Sequence, residues 1–192
     1  MASHYSAKRR LMDSTFVEKF ITAHNNYRRQ HGAPDLQLDD ELSELAQQWA
    51  EKLARKRHLS YCEIPGIGEN ITFFPVDIPP ETAVQHWYGE HVKYEYETPG
   101  WQAGTNYFTQ IVWKSTREAS AELTFLIIGI GIARVPDEEV ESDANENCTK
   151  RVHKSKRDDS SLKNHQVIVS FYRPSGNNNR AGQFQANVTK PK

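Results

Sequence analysis

Apolar residues recur along this chain with two different periods. Phe16, Phe20, Ala23 and Tyr27 form one stripe of a helix, with His24 beside it. Thr15-x-x-Glu18 resembles a capping box at its start. Arg28, Arg29 and Gln30 close its last turn, where positive charge suits the helix dipole, and Gly32 and Pro34 end it. A second helix is plainer still. Leu42, Leu45, Ala46, Trp49, Ala50, Leu53 and Ala54 make a full apolar face, Asp39 or Asp40 caps it, and Arg55, Lys56 and Arg57 sit near its end. Pro80 starts a third helix, predicted from about Glu81 to Tyr94, with Val84, Trp87, Tyr88 and His91 on its apolar face and Glu90 at the edge. A fourth, short helix is predicted from Phe108, Ile111, Val112 and Trp113. The polar turn before it, with Gly104 and Asn106, delivers Tyr107 and Thr109 at its mouth. The plainer alternative there is an amphipathic helix with no site.

Other segments read as strands. Gly66-Ile-Gly68 is a turn entering a strand through Glu69, Asn70, Ile71, Thr72, Phe73 and Phe74. Leu123–Val135 is a strand or two, expected to break at Gly129 and Gly131, and Val167–Tyr172 is another. The stretch Pro174–Gly182 is turn-rich, and Phe184 and Val188 are expected to pack the tail back. Between the last two strands, residues 136–166 run acidic and then basic with few apolar positions, which predicts a long solvated loop. Residues 1–14 read as a disordered basic arm, leaving a single domain over 15–190.

Composition narrows the function classes. The 192 residues carry 24 basic and 25 acidic side chains, so bulk charge does not favour a nucleic-acid partner. Two cysteines, Cys62 and Cys148, make at most one bridge, and free thiols are the expectation. The first ten residues lack the apolar core of a signal peptide, and no apolar run is long enough for a transmembrane helix.

The candidate chemistry is sparse. Glu69 and Glu90 each sit beside an ordered apolar element; brought together, they would form a paired-carboxylate site able to shift pKa values or bind a cation. The plainer reading is two surface glutamates. None of the eight histidines has HExxH spacing, and His24 reads as a hydrogen-bonded core residue. Ser60, Ser115 and Ser170 lack a GxSxG context. The Gly66 turn lacks both the GxGxxG pattern and a Walker lysine.

A set of short motifs carries a resemblance. They are Ala23-His-Asn-Asn-Tyr-Arg28 with His31-Gly32; Leu45-Ala46 and Trp49-Ala50; Gly68-Glu-Asn-Ile71; His86-Trp-Tyr88 with Glu90; Gly104-Thr105 with Phe108-Thr-Gln110 and Val112-Trp113; and Phe171-Tyr-Arg-Pro174 with Gly176-Asn177. Together, in this order, they resemble the CAP superfamily of cysteine-rich secretory, antigen 5 and pathogenesis-related 1 proteins, and most of all its Golgi-associated, plant-pathogenesis-related-like subgroup. The resemblance implies an α+β fold, a three-layer α-β-α sandwich with a large cleft holding two glutamates and two histidines that often bind zinc. The glutamates map onto Glu69 and Glu90, but the histidine positions map onto Tyr61 and Tyr107, with His58 one turn upstream of the former. Phenols are poor zinc ligands beside imidazoles, so no metal or other cofactor is expected. Tyr61 and Tyr107 are expected instead to donate hydrogen bonds to Glu69 and Glu90. Asn70 and Thr109 are the expected cleft neighbours. Two insertions relative to the family pattern are read at 119–128 and in the charged loop.

The resulting expectation is a non-enzymatic CAP domain that binds a lipid, a sterol or a protein, with anionic lipid and a second copy of the chain as partners. Its expected place is cytoplasmic or peripheral to the Golgi membrane. One rival is a metal-assisted, protease-like hydrolase using Glu69 or Glu90. Another is a secreted defence or venom-allergen-like protein, to which the sequons at Asn70, Asn147 and Asn187 would lend support.

Overall fold

Three helices and two strands precede the short helix at Asn106, and two long strands follow it. In order they are α1 (Ser14–Gln30), β1 (Gln37–Leu38), α2 (Asp40–Lys56), β2 (Gly68–Pro75), α3 (Pro80–Tyr88), a 3₁₀ turn (Gly89–Lys93), α4 (Asn106–Val112), β3 (Ile127–Arg134), β4 (His165–Arg173) and α5 (Gln183–Asn187). The computed structural model describes residues 14–114, 126–136 and 162–192. Most of the basic arm and of the charged loop, and the start of the 119–128 insertion, therefore lie outside the described residues.

The four strands form one sheet in the order β1-β3-β4-β2. β3 and β2 flank β4 antiparallel, and β1 pairs parallel with β3. Side chains alternate across a strand, so β4 feeds two cores at once. Val167, Val169 and Phe171 face α2 and pack with Leu42, Ala46, Ala50 and Leu53. Ile168 and Tyr172 face the other way, toward Phe20, Trp87, Phe108 and Ile111 of α1, α3 and α4. This is the α-β-α sandwich.

β3 runs unbroken through Gly129 and Gly131, contrary to the expected break. The two glycines lie on the same face of the strand, and the reason is proximity rather than flexibility. A Cβ on Gly129 would sit 2.2 Å from the Leu42 carbonyl carbon, and one on Gly131 2.2 Å from that of Ala46. Without side chains there, α2 lies directly on the sheet, and Gln47 ties it down through Ile132 N–H (2.9 Å) and Ile132 C=O (3.0 Å). Ile127 and Ile128 open this strand, and Leu126 and Ile128 are buried in the core on its other face, so the described end of the stretch read as an insertion at 119–128 is ordered. Likewise His165 and Gln166, read as the end of the charged loop, open β4.

Two helices depart from expectation in ways that matter for the site. α3 ends at Tyr88, because Gly89 is a poor helix former and the chain tightens into a 3₁₀ turn. In α1, Arg28 is buried rather than lying at the surface of the last turn. Its guanidinium donates to the carbonyls of Pro34 (2.7 Å), Ile111 (2.7 Å) and Trp113 (2.9 Å), clamping the end of α4 to α1. His24 is a core residue as expected: Nδ1 pairs with Phe20 C=O and Nε2 with Tyr172 OH, each at 2.9 Å. Burial lowers its pKa to about 4, so it is neutral in the fold. Phe184 and Val188 pack the tail into the core, Phe184 edge-on to Trp113.

Candidate functional site

β2 lies at an edge of the sheet, and α4 begins beside it. Between them opens a cavity of about 250 Å³ lined by Tyr61, Glu69, Trp101, Asn106, Tyr107, Asn177 and Asn179. The fold builds this wall in tiers. Gln110 in α4 is buried and its amide is wedged against Gly68 and Gly176, where no Cβ would fit; its Oε1 accepts from Gly176 N–H at 3.1 Å. That contact holds the segment carrying Asn177 and Asn179 against the helix. Thr109 Oγ1 donates to Asn177 Oδ1 at 2.6 Å, with Thr105 C=O as the alternative acceptor at 2.9 Å, while Asn177 Nδ2 donates to Asn106 C=O at 3.0 Å. Thr109 thus positions a lining residue instead of lining the cavity. Asn70 does the same from below: fully buried, it donates to Tyr107 C=O (3.2 Å) and Tyr172 OH (3.3 Å).

Glu69 sits near the start of β2, half-buried. Both its oxygens accept from the Cys62 N–H, at 2.9 and 3.0 Å. The bond draws the loop that follows α2 over the strand and sets Tyr61 at the cavity mouth. Burial raises the Glu69 pKa to about 7, with the Cys62 bond opposing. No basic side chain contributes to its titration.

Glu90, in the 3₁₀ turn, does not line the cavity. Its Oε2 accepts from Tyr107 N–H (2.7 Å) and Phe108 N–H (3.2 Å), the first free donors of α4. It is a helix cap placed one residue behind the wall. The expected phenol-to-carboxylate bonds are therefore replaced. Backbone amides take both carboxylates, and the Tyr107 hydroxyl reaches past them to Ile71 C=O at 2.8 Å. Backbone donors win because they are fixed by the fold and need no side-chain ordering, whereas a phenol would have to give up rotamer freedom and water. Burial also raises the Tyr107 pKa, opposed by the Thr72 hydroxyl and aided by Tyr61 and Glu90. Tyr61 is 64% exposed, and His58 is exposed just past α2, outside the cavity lining.

Sequence reasoning missed Trp101, Asn106, Asn177 and Asn179 as lining residues. The available signal at Trp101 was a large aromatic in a polar turn with no apolar period around it, and the structure leaves it 57% exposed.

A profile of the cysteine-rich secretory protein (CAP) family matches residues 21–120. The chain belongs to the CAP family. Golgi-associated plant pathogenesis-related protein 1 of Homo sapiens is 31% identical over 180 residues, covering 92% of this chain and 94% of that protein. Pathogenesis-related protein 1 of Arabidopsis thaliana is 29% identical over 52% of this chain and 61% of that protein. Among solved structures, venom allergen-like protein 4 of Schistosoma mansoni shares the fold at 19% identity, with a TM-score of 0.50 over 81% of this chain and 86% of that one. Hookworm platelet inhibitor does so at 16% identity and a TM-score of 0.52, over 88% and 74%.

The zinc that a CAP cleft implies does not fit the donors found here. Among the described residues no group of three or more His, Cys, Asp and Glu converges. The Tyr107 hydroxyl and the Glu90 carboxylate are already bonded to backbone. The secreted alternative loses its sequon support at two positions. Asn70 and Asn187 are both 0% exposed, with their amide nitrogens bonded inside the fold, so neither carries a glycan in this CAP domain. Asn147 lies outside the described residues. Among the described residues, no helix is long and apolar enough to cross a membrane.

Proposed function

We propose that this CAP domain is a non-enzymatic binding module whose cleft, formed by Tyr61, Glu69 and Tyr107 with Glu90 behind, takes a lipid headgroup or a protein side chain. The observation that carries the reading is the cavity itself: small, open, edged by exposed aromatic rings and backed by side chains hydrogen-bonded to the fold. Among the described residues its lining holds no serine, cysteine or lysine nucleophile. At about 250 Å³ the cavity is below the size that encloses a sterol, so a sterol or an anionic lipid would contact the rim or another face of the domain. Full-length similarity to a Golgi-associated protein supports an intracellular place at the Golgi membrane.

Sedimentation with vesicles tests the module. Vesicles of zwitterionic lipid, anionic lipid and sterol mixtures are each spun with micromolar protein. Retention on any of them, saturable and reduced by Trp101→Ala, is the expected result. No retention on any of them removes the lipid part of the reading. Fractionation of cells expressing the chain tests its place: protein in the Golgi fraction supports the reading, and glycosylated protein in the medium ends it.

The hydrolase reading keeps one supporting observation, the Glu69 pKa of about 7, which suits a general base. Peptide hydrolysis abolished by Glu69→Gln would establish it.

A further inference from the structure

Among the described residues, Glu69 is the one lining residue able to carry a charge near neutral pH, and none of the others is basic. Among them too its hydrogen-bond donor is one backbone N–H, which leaves lone pairs on both oxygens. Around it stand three aromatic residues. Tyr61 and Trp101 leave most of their surface in water, so both rings are accessible at the cavity. The Tyr107 ring is fixed, packed on Trp87 with centroids 6.0 Å apart and held by its hydroxyl on Ile71 C=O.

We propose that this cavity binds an organic ammonium ion, with the trimethylammonium of a choline headgroup as the type ligand, held between the Glu69 carboxylate and the rings of Tyr61, Trp101 and Tyr107. The inference rests on the cleft being a binding site, as proposed above, and names its ligand class.

The chemistry selects among ligands. A phosphate or carboxylate would meet an acid with no compensating base, so anions are excluded from the interior. A neutral sugar would gain nothing from the carboxylate's charge and would need a hydrogen-bond partner for each hydroxyl, and the Asn177 amide gives part of its capacity to Thr109 and Asn106. A quaternary ammonium makes no such demand. It has no N–H to satisfy, sheds its diffuse hydration easily, and is attracted by the faces of aromatic rings and by the carboxylate. Its head also suits a cavity too small for a larger skeleton.

Choline is titrated into the full chain at about pH 8, where Glu69 is ionised, and followed by assigned amide and indole NMR signals. Saturable shifts at Trp101, Tyr107 and Asn177 are expected, with a Kd on the order of millimolar. The neutral isostere 3,3-dimethylbutanol is expected to bind at least about tenfold more weakly, and Glu69→Gln and Trp101→Ala each to weaken choline by about fivefold or more. Should Glu69→Gln fail to fold, the isostere and the surface variant Trp101→Ala carry the test. Absence of choline shifts, or equal binding of the isostere, overturns the proposal.

Vesicles separate the two sources of the same chemistry. Retention on phosphatidylcholine that free choline displaces assigns a lipid headgroup. Choline saturation with no vesicle retention assigns a free small molecule, and both outcomes support the ammonium site. If choline fails while vesicles of another composition retain the protein, only this inference falls. If neither choline nor any vesicle binds, the lipid part of the binding-module reading falls with it.

Discussion

Single side chains here do different work from what their types suggest, and Glu69 is the clearest case. Its carboxyl titrates at about 7 in the fold against an ordinary 4.5. Between those values the folded chain holds a proton that the unfolded chain has released, so this group's contribution to stability falls as pH rises through that window. Glu69→Gln removes the slope while keeping an oxygen for the Cys62 N–H. The variant is therefore expected to gain stability relative to the parent between about pH 5 and about pH 8, read by urea unfolding at each pH. An unchanging difference would show that the carboxyl is not desolvated. Glu90 works through its hydrogen bonds instead. Glu90→Ala strips an anionic acceptor from two amides at the start of α4 and should cost about 1–2 kcal/mol, with Glu90→Gln losing less, measured as the shift in denaturation midpoint. Both glutamates were legible in the sequence as unusual acids beside ordered elements. What they bond to was not. A hydrogen bond from Cys62 or Tyr107 backbone leaves no trace in residue identity, whereas a phenol in place of an imidazole does, and so the phenols drew the expectation.

At the level of elements, periodicity served well where one face of a helix meets a core. The α2 face expected from Leu42, Ala46, Ala50 and Leu53 is the face that packs on the sheet, and Asp39 caps the helix. It serves poorly at β3, where the pattern predicts breaks at the glycines and the strand has none. Pattern alone cannot separate a glycine that bends a strand from one that admits a helix, because the difference lies in what sits 2.2 Å away. The two kinds should separate by mutation. Gly131→Ala must push α2 off the sheet and should cost about 3 kcal/mol or more. Gly66→Ala, at a positive φ of 79° with open space around it, should cost only about 1 kcal/mol. Equal losses in thermal unfolding would refute the close-contact account of β3. The end of α3 was misjudged for a related reason: a helical pattern continues past Gly89, but the 3₁₀ turn that follows is what aims Glu90 at α4.

For the molecule as a whole, helices are held to the sheet, or to a neighbour in the same layer, by a few polar clamps set in apolar surroundings. Arg28 is the chief of these, and its charge brings with it a need for three carbonyls. Arg28→Lys cannot reproduce the planar fork and should destabilise the domain by about 3–5 kcal/mol, seen as an early loss of the near-ultraviolet aromatic signal on heating. The overall class, with helices on both faces of a mixed sheet, was accessible from the motifs because they occur in family order; the cavity was not, since its lining comes from four separate stretches of chain. The way Tyr107 is anchored carries a last implication. Its hydroxyl occupies a carbonyl on β2, an outer strand, while the opposite border of the sheet is a strand of only two residues. On the outer strand the hydroxyl covers one acceptor of an edge that would otherwise be open to pairing with another chain. Tyr107→Phe keeps the ring and uncovers that carbonyl, so concentrated solutions of the variant are expected to turn turbid sooner than the parent at matched unfolding temperature. A phenol standing where the family resemblance leads one to expect an imidazole would then serve, besides any ligand, as a guard against self-association into fibres.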